Sequence, residues 1–144
     1  MRDSALVTVE NKTSYLRHLP EGMSSLFLSG YAAPAQIGVL RRIVTDNPGL
    51  KLYHFGDIDA GGLRILKHLR NELGVHIEPY HMGIEELKDP RYEKCLITLT
   101  ENDRERLAAL EQDFSELTRY MLANNCKLEQ EIVSLYLEGV SVEV

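Results

Sequence analysis

The stretch Leu52-Tyr53-His54-Phe55-Gly56-Asp57-Ile58-Asp59-Ala60-Gly61-Gly62 is an apolar run that closes on two carboxylates one residue apart. Glycines and then helical spacing follow it. A run bounded in this way reads as a buried strand, and a strand-turn-helix succession belongs to the α/β class. Two carboxylates at a strand exit are not both core residues. Ionised carboxylates held close together repel, and a divalent cation is the usual relief. Hard oxygen ligands favour Mg²⁺ or Mn²⁺. Asp also suits turns and helix N-caps, so Asp57 and Asp59 have a purely structural reading as well.

The rest of the chain alternates in the same manner. Strands are predicted over 5–10, 25–29, 50–56 and 75–80, and helices over 11–18, 34–45 and 62–73. Asn11 is a candidate N-cap, and Pro34 stands in the first turn of its helix. Asp46-Asn47-Pro48-Gly49 marks a turn, and Gly74 ends the third helix. Beyond Tyr80 the spacing turns helical, over 83–87, 101–123 and 127–137, with Thr100 and Asp103 spaced for a capping box. The expected architecture is a mostly parallel, Rossmann-like four-stranded sheet flanked by helices, with extra C-terminal helices. It occupies one domain over 1–144.

Composition narrows the function classes. The formal net charge is −6, which argues against a module that binds nucleic acid by charge alone. It does not argue against a metal-dependent nuclease, whose site concentrates acids that cations offset. No apolar run approaches the roughly 20 residues that span a bilayer, so no membrane partner is expected. No signal-peptide pattern opens the chain, and Cys95 and Cys126 lack ligand spacing, so a cytoplasmic protein with reduced thiols is expected. The early first strand suggests a piece of a longer protein.

Glu10 ends the first predicted strand, and Asp57 and Asp59 end the third. In a parallel sheet all strand exits share one edge, so the three acids meet if those strands are neighbours. Such a group can hold one or two divalent ions, and Glu10 can instead move a proton. An acid between strand and helix also simply favours the helix dipole. Gly61-Gly62 permits close approach of a phosphate or just a tight turn. Arg64, Lys67 and His68 share a helix face, and with Lys12 they are candidate DNA-phosphate contacts or a solvated face. His54 reads as a packing residue. In Leu128-Glu129-Gln130-Glu131 the two glutamates point about 200° apart if helical, so at most one faces a shared site.

Glu10 at the first strand end and Asp57-Ile58-Asp59 at a later one resemble the toprim pattern. More narrowly, Val9-Glu10-Asn11-Lys12-Thr13, Tyr53 to Asp59, Gly62-Leu63-Arg64-Ile65-Leu66 and Leu128-Glu129-Gln130-Glu131 resemble, in order, the C-terminal domain of the JetD nuclease subunits of Wadjet-type plasmid-defence systems. Those are related to the type VI topoisomerase A subunit and to meiotic recombination endonucleases. The resemblance implies a Mg²⁺- or Mn²⁺-dependent endodeoxyribonuclease in plasmid or phage defence. It implies Glu10, Asp57 and Asp59 as catalytic and metal-binding residues, with Glu129 or Glu131 in support. It implies DNA, a homodimer and a condensin-like SMC complex as partners, and a DNA-binding arm ahead of the domain, which makes the chain the C-terminal part of a longer protein. Many relatives carry Thr-His-Gly after the second aspartate, where this chain has Ala60-Gly61-Gly62. None of the seven tyrosines is placed by motif as a nucleophile, which favours hydrolysis.

Two rival readings remain. A toprim-like scaffold without catalysis would dock to a DNA-processing complex. A haloacid-dehalogenase-type phosphatase also uses a strand-end DxD, but its motif normally follows the first strand, and Gly61 stands where that family usually has Thr or Val.

Overall fold

In the computed structural model, which describes residues 4–17 and 22–137, four strands form one all-parallel sheet. They are β1 (Ala5–Val9), β2 (Ser24–Phe27), β3 (Lys51–Phe55) and β4 (Glu78–Pro79), in the order β2-β1-β3-β4. Every residue of β1 is buried, as a central strand covered on both faces requires. The expected α/β architecture, a parallel sheet flanked by helices, is what forms, and it is consistent with a Rossmann-like toprim fold.

The period-two alternation of β1 and β3 sorts the core into two layers. Val7, Val9 and Phe55 face one layer, where α1 (Lys12–Arg17) packs on α7 (Gln130–Leu137). Leu6 and Leu52 face the other, filled by α2 (Pro34–Asp46) and α3 (Ala60–Leu73) through Leu40, Leu66 and Leu69. Pro34 does open α2, Gly74 closes α3 in the left-handed conformation, and Asn11 Oδ1 accepts from Thr13 N at 2.8 Å as an N-cap. The predicted end of the first helix, His18, lies outside the described residues.

Three elements depart from expectation. The fourth strand is only Glu78–Pro79, because the Ile77 carbonyl is taken by Arg70, at 3.0 Å from Nε and 2.6 Å from Nη2, and Pro79 has no N–H for a ladder. The helix predicted over 101–123 is two helices, α5 (Glu101–Ala109) and α6 (Ser115–Asn124). Its break turns Asp113 onto Lys67 of α3, at 2.9 Å, and sets the Phe114 ring 5.2 Å from the Arg70 guanidinium carbon. Tertiary contacts of this kind outweigh helix propensity. The Thr100–Asp103 capping box does form. The last helix begins at Gln130 rather than at 127, because Lys127 and Leu128 pair antiparallel with Ile97 and Ile58. A short helix, α4 (Ile84–Lys88), and a 3-10 turn (Pro90–Cys95) complete the first layer. Among the described residues no helix is long and apolar enough to cross a membrane.

Leu66 is fully buried between sheet and helices. Leu66→Ala is expected to destabilise the chain by roughly 2–5 kcal/mol, read as a lowered urea midpoint with an unchanged slope.

Candidate functional site

The adjacency of β1 and β3 brings Glu10 against the Asp57 backbone. The Glu10 backbone N–H donates to the Phe55 carbonyl at 3.0 Å, continuing the ladder one residue past β1. The Glu10 side chain then reaches across, and Oε2 accepts from the Asp57 N–H at 3.1 Å. Asp59 caps α3, with Oδ1 accepting from Gly62 N–H at 2.7 Å. Thus Glu10, Asp57 and Asp59 gather at the carboxyl edge of the sheet, as the parallel topology anticipates.

The glycines answer to this crowding. A Cβ on Gly56 would overlap Glu10 Oε2 and come 3.0 Å from His54 Nε2. A Cβ on Gly62 would overlap the Asp57 carbonyl, whereas one on Gly61 would meet only Asp59 Oδ1, at 3.3 Å. The tight turn therefore explains Gly62 without any ligand.

The acid cluster extends further than the three residues that the strand ends supply. Asp57 Oδ1 accepts from the backbone N–H of Gln130, at 2.7 Å, at the start of α7. The fully buried Gln130 side chain donates through Nε2 to the Phe55 carbonyl at 3.0 Å. Leu128 exchanges two backbone bonds with Ile58, at 2.9 and 3.1 Å. Glu131 Oε1 accepts from Asn11 Nδ2 at 2.6 Å. Sequence reasoning flagged the Leu128–Glu131 stretch but gave Gln130 no role. It also treated Glu129 as helical, whereas Glu129 precedes the helix, so the 200° argument does not apply to the pair.

Burial, and then the charges of Asp57, Asp59 and Glu131, push the Glu10 carboxyl up to about 7, against the pull of the Asp57 N–H. Burial likewise pushes Asp57 up to about 6, with Asp59, Glu131 and Glu129 adding and the Gln130 N–H opposing. Beneath them His54 is wholly buried and held neutral, lowered by burial to about 3. Its Nδ1 lies 2.8 Å from Thr8 Oγ1, whose hydroxyl is 3.3 Å from the Tyr53 carbonyl. The hydroxyl and Nδ1 share one hydrogen bond, and in either tautomer Nε2 is left without a partner among the described residues, facing the space over Gly56. Reading His54 as packing matches its burial but misses this orphaned nitrogen.

Among the described residues no three His, Cys, Asp or Glu side chains already stand as a metal cage. The donor set nonetheless suits a hard divalent cation. Its ligands are carboxylate oxygens, one oxygen of each acid is oriented by a backbone N–H, and burial, with mutual repulsion added, makes both Glu10 and Asp57 reluctant to ionise.

Of the basic candidates, Lys12 is exposed at the start of α1, directly after Asn11, which donates to Glu131. Arg64 and Lys67 lie along α3, and Lys67 is paired with Asp113.

A family model described as "Wadjet protein JetD, C-terminal" matches residues 1–139. The chain belongs to the JetD C-terminal family. It is 25% identical over 146 aligned positions to the Wadjet protein JetD of Bacillus cereus (strain Q1). That alignment covers 92% of this chain and 34% of the relative, so the chain spans about a third of the JetD protein it matches. The JetD C-terminal match runs through Glu10, the Asp57–Asp59 turn and the start of α7.

Two outcomes follow from this geometry. Gln130→Ala removes a buried bond to Phe55 and is expected to cost about 1–3 kcal/mol in urea unfolding. Glu10 and Asp57 bind protons more tightly folded than at their ordinary values of 4.5 and 3.8. Folding therefore takes up protons, and the metal-free chain is most stable on the acid side and loses stability as pH rises through both folded values. Its Tm in chelator is expected to fall between about pH 4 and about pH 7, and Glu10→Gln, which keeps an oxygen for the Asp57 N–H, to flatten that fall.

Proposed function

We propose that this domain is the cleaving part of a JetD-type defence protein, a toprim-type endodeoxyribonuclease that hydrolyses DNA phosphodiester bonds with Mg²⁺ or Mn²⁺. The observation that carries the reading is the closure of Glu10 onto the Asp57 N–H in a buried acid cluster, where burial first and the neighbouring charges second push Glu10 up to about 7. A group of carboxylates kept at the edge of ionisation lacks positive charge, and a cation-bound phosphate supplies it.

Asp57 and Asp59 would hold the cation, with Glu10 completing the set or serving as the proton carrier. A bound divalent ion polarises the phosphate and lowers the pKa of a water. The chain's own groups do the rest. Glu10, pushed near neutrality, can accept a proton and return it at physiological pH. The Gln130 N–H and the Gly62 N–H fix one oxygen each of Asp57 and Asp59, which pre-organises the pair. Glu131, held by Asn11, adds a further negative charge beside Glu10. Lys12 is a candidate phosphate contact. In the intact protein, pairing into a homodimer and recruitment by an SMC-type complex would supply the DNA.

A second reading is favoured by one observation: no three acid, His or Cys side chains among the described residues are posed as a cage. On that reading the domain is a non-catalytic scaffold.

Asp57→Ala and Glu10→Gln in the intact JetD-type protein are expected to lower Mn²⁺-dependent plasmid cleavage by at least about 100-fold with the fold retained. Cleavage at the parental rate in Asp57→Ala would overturn the nuclease reading and favour the scaffold.

A further inference from the structure

A cleft of about 540 Å³ lies on the outer face of α3, away from the hydrogen bonds that knit the acid cluster. Its floor is one helical row, Arg64, Lys67, His68 and Asn71. Tyr31, from the loop after β2, forms one wall, and Arg106 of α5 stands on the other. The volume falls within the roughly 300–1,000 Å³ usual for ligand sites.

The charge of this cleft runs against that of the chain, whose formal net charge is −6. Glu105 is the one acidic residue among its lining residues. Lys67 is engaged by Asp113 at 2.9 Å, but neither Arg64 nor Arg106 has a carboxylate partner among the described residues. Two guanidinium groups on facing helices are a bidentate receptor for a phosphate. Tyr31 is 52% exposed and meets the His68 ring edge-on, with centroids 5.5 Å apart at 75°. An aromatic ring held from one side, with so much of it open to solvent, is a stacking platform for a base.

One wall and the floor lead back to the carboxylates. The loop that carries Tyr31 is tied to Glu10, because Gly30 N–H donates to the Glu10 carbonyl at 3.2 Å. The floor helix starts at its cap, Asp59. We propose that this cleft seats one nucleotide of a DNA strand splayed from its duplex, with Arg64 and Arg106 on the phosphate and Tyr31 under the base. The choice of DNA rests on the nuclease reading; the choice of phosphate and base rests on the cleft itself. It assigns Tyr31 and Arg106 a role that the strand-end motif does not reach, and it makes Arg64 a strand-positioning residue.

The test is fluorescence anisotropy of a labelled ten-nucleotide oligothymidylate with this chain in chelator, so that no cleavage intervenes. The double variant Arg64→Ala/Arg106→Ala is expected to bind about 10-fold or more weakly, with the dependence of log K on log salt shallower by about 1. Tyr31→Ala is expected to weaken binding at least about 5-fold while Tyr31→Phe retains it, as stacking requires. Lys94→Ala, outside the cleft, is expected to leave binding unchanged. Unaltered affinity in the double variant, no binding of the oligomer at about 1 mM, or thymidine monophosphate binding as tightly as the oligomer would each overturn the proposal. Cleavage by Asp57→Ala in the intact protein judges the nuclease reading separately, because oligonucleotide binding in chelator, with no metal held by those carboxylates, reads the cleft alone.

Discussion

Asp57 is bonded at both its amide and its carboxylate, and most of the functional edge depends on that residue. Its N–H is received by Glu10, its side chain receives the first N–H of α7, and its carbonyl leaves no room for a Cβ on Gly62. One step back, the Phe55 carbonyl accepts from both the Glu10 N–H and the Gln130 side chain. Three segments remote in sequence, at the ends of β1 and β3 and at the start of α7, therefore converge on two consecutive peptide units of one strand exit. In a parallel sheet such an exit has no partner strand to complete its hydrogen bonds, and here the side chains and an incoming helix supply them.

This arrangement places electrostatic strain where packing is tightest. Ionised carboxylates buried side by side are costly, and the cost is borne by Glu10 and Asp57, whose pKa values move up together. The backbone N–H bonds to Glu10 and Asp57 oppose that movement without cancelling it. A core designed for stability alone would place apolar or neutral side chains there. The buried, neutral His54 with its open Nε2 is a second departure from full satisfaction in the same small volume. Local departures of this sort gather at sites kept for chemistry.

The sheet and the acid trio were legible in the sequence because each is local. Short, nearly continuous apolar runs define β1 and β3, and a carboxylate after each run marks its exit. Parallel pairing then needs no further information to put the exits on one edge. What was illegible is nonlocal. Gln130 reaches Phe55 across 75 residues, and nothing within its own neighbourhood announces a buried amide. The helix over 101–123 looked continuous because 110–114 contains no strong breaker. Its interruption is set by Lys67 and Arg70 on another helix. The fourth strand is shortened in the same way, by a guanidinium that takes the carbonyl its ladder would use.

The antiparallel bond pair between Leu128 and Ile58 also bears on the order in which the chain is made. The sheet through β4 is complete in sequence by Pro79, but the groups that hold Asp57 and the asparagine that meets Glu131 are joined only when residues 128–131 arrive. Contacts of such long range form late. A ribosome that has released only the four strands has released an acid edge whose central carboxylate still lacks the Gln130 N–H. Translation thus acts as a timer on the site: its geometry is withheld until nearly the whole described chain has left the exit tunnel.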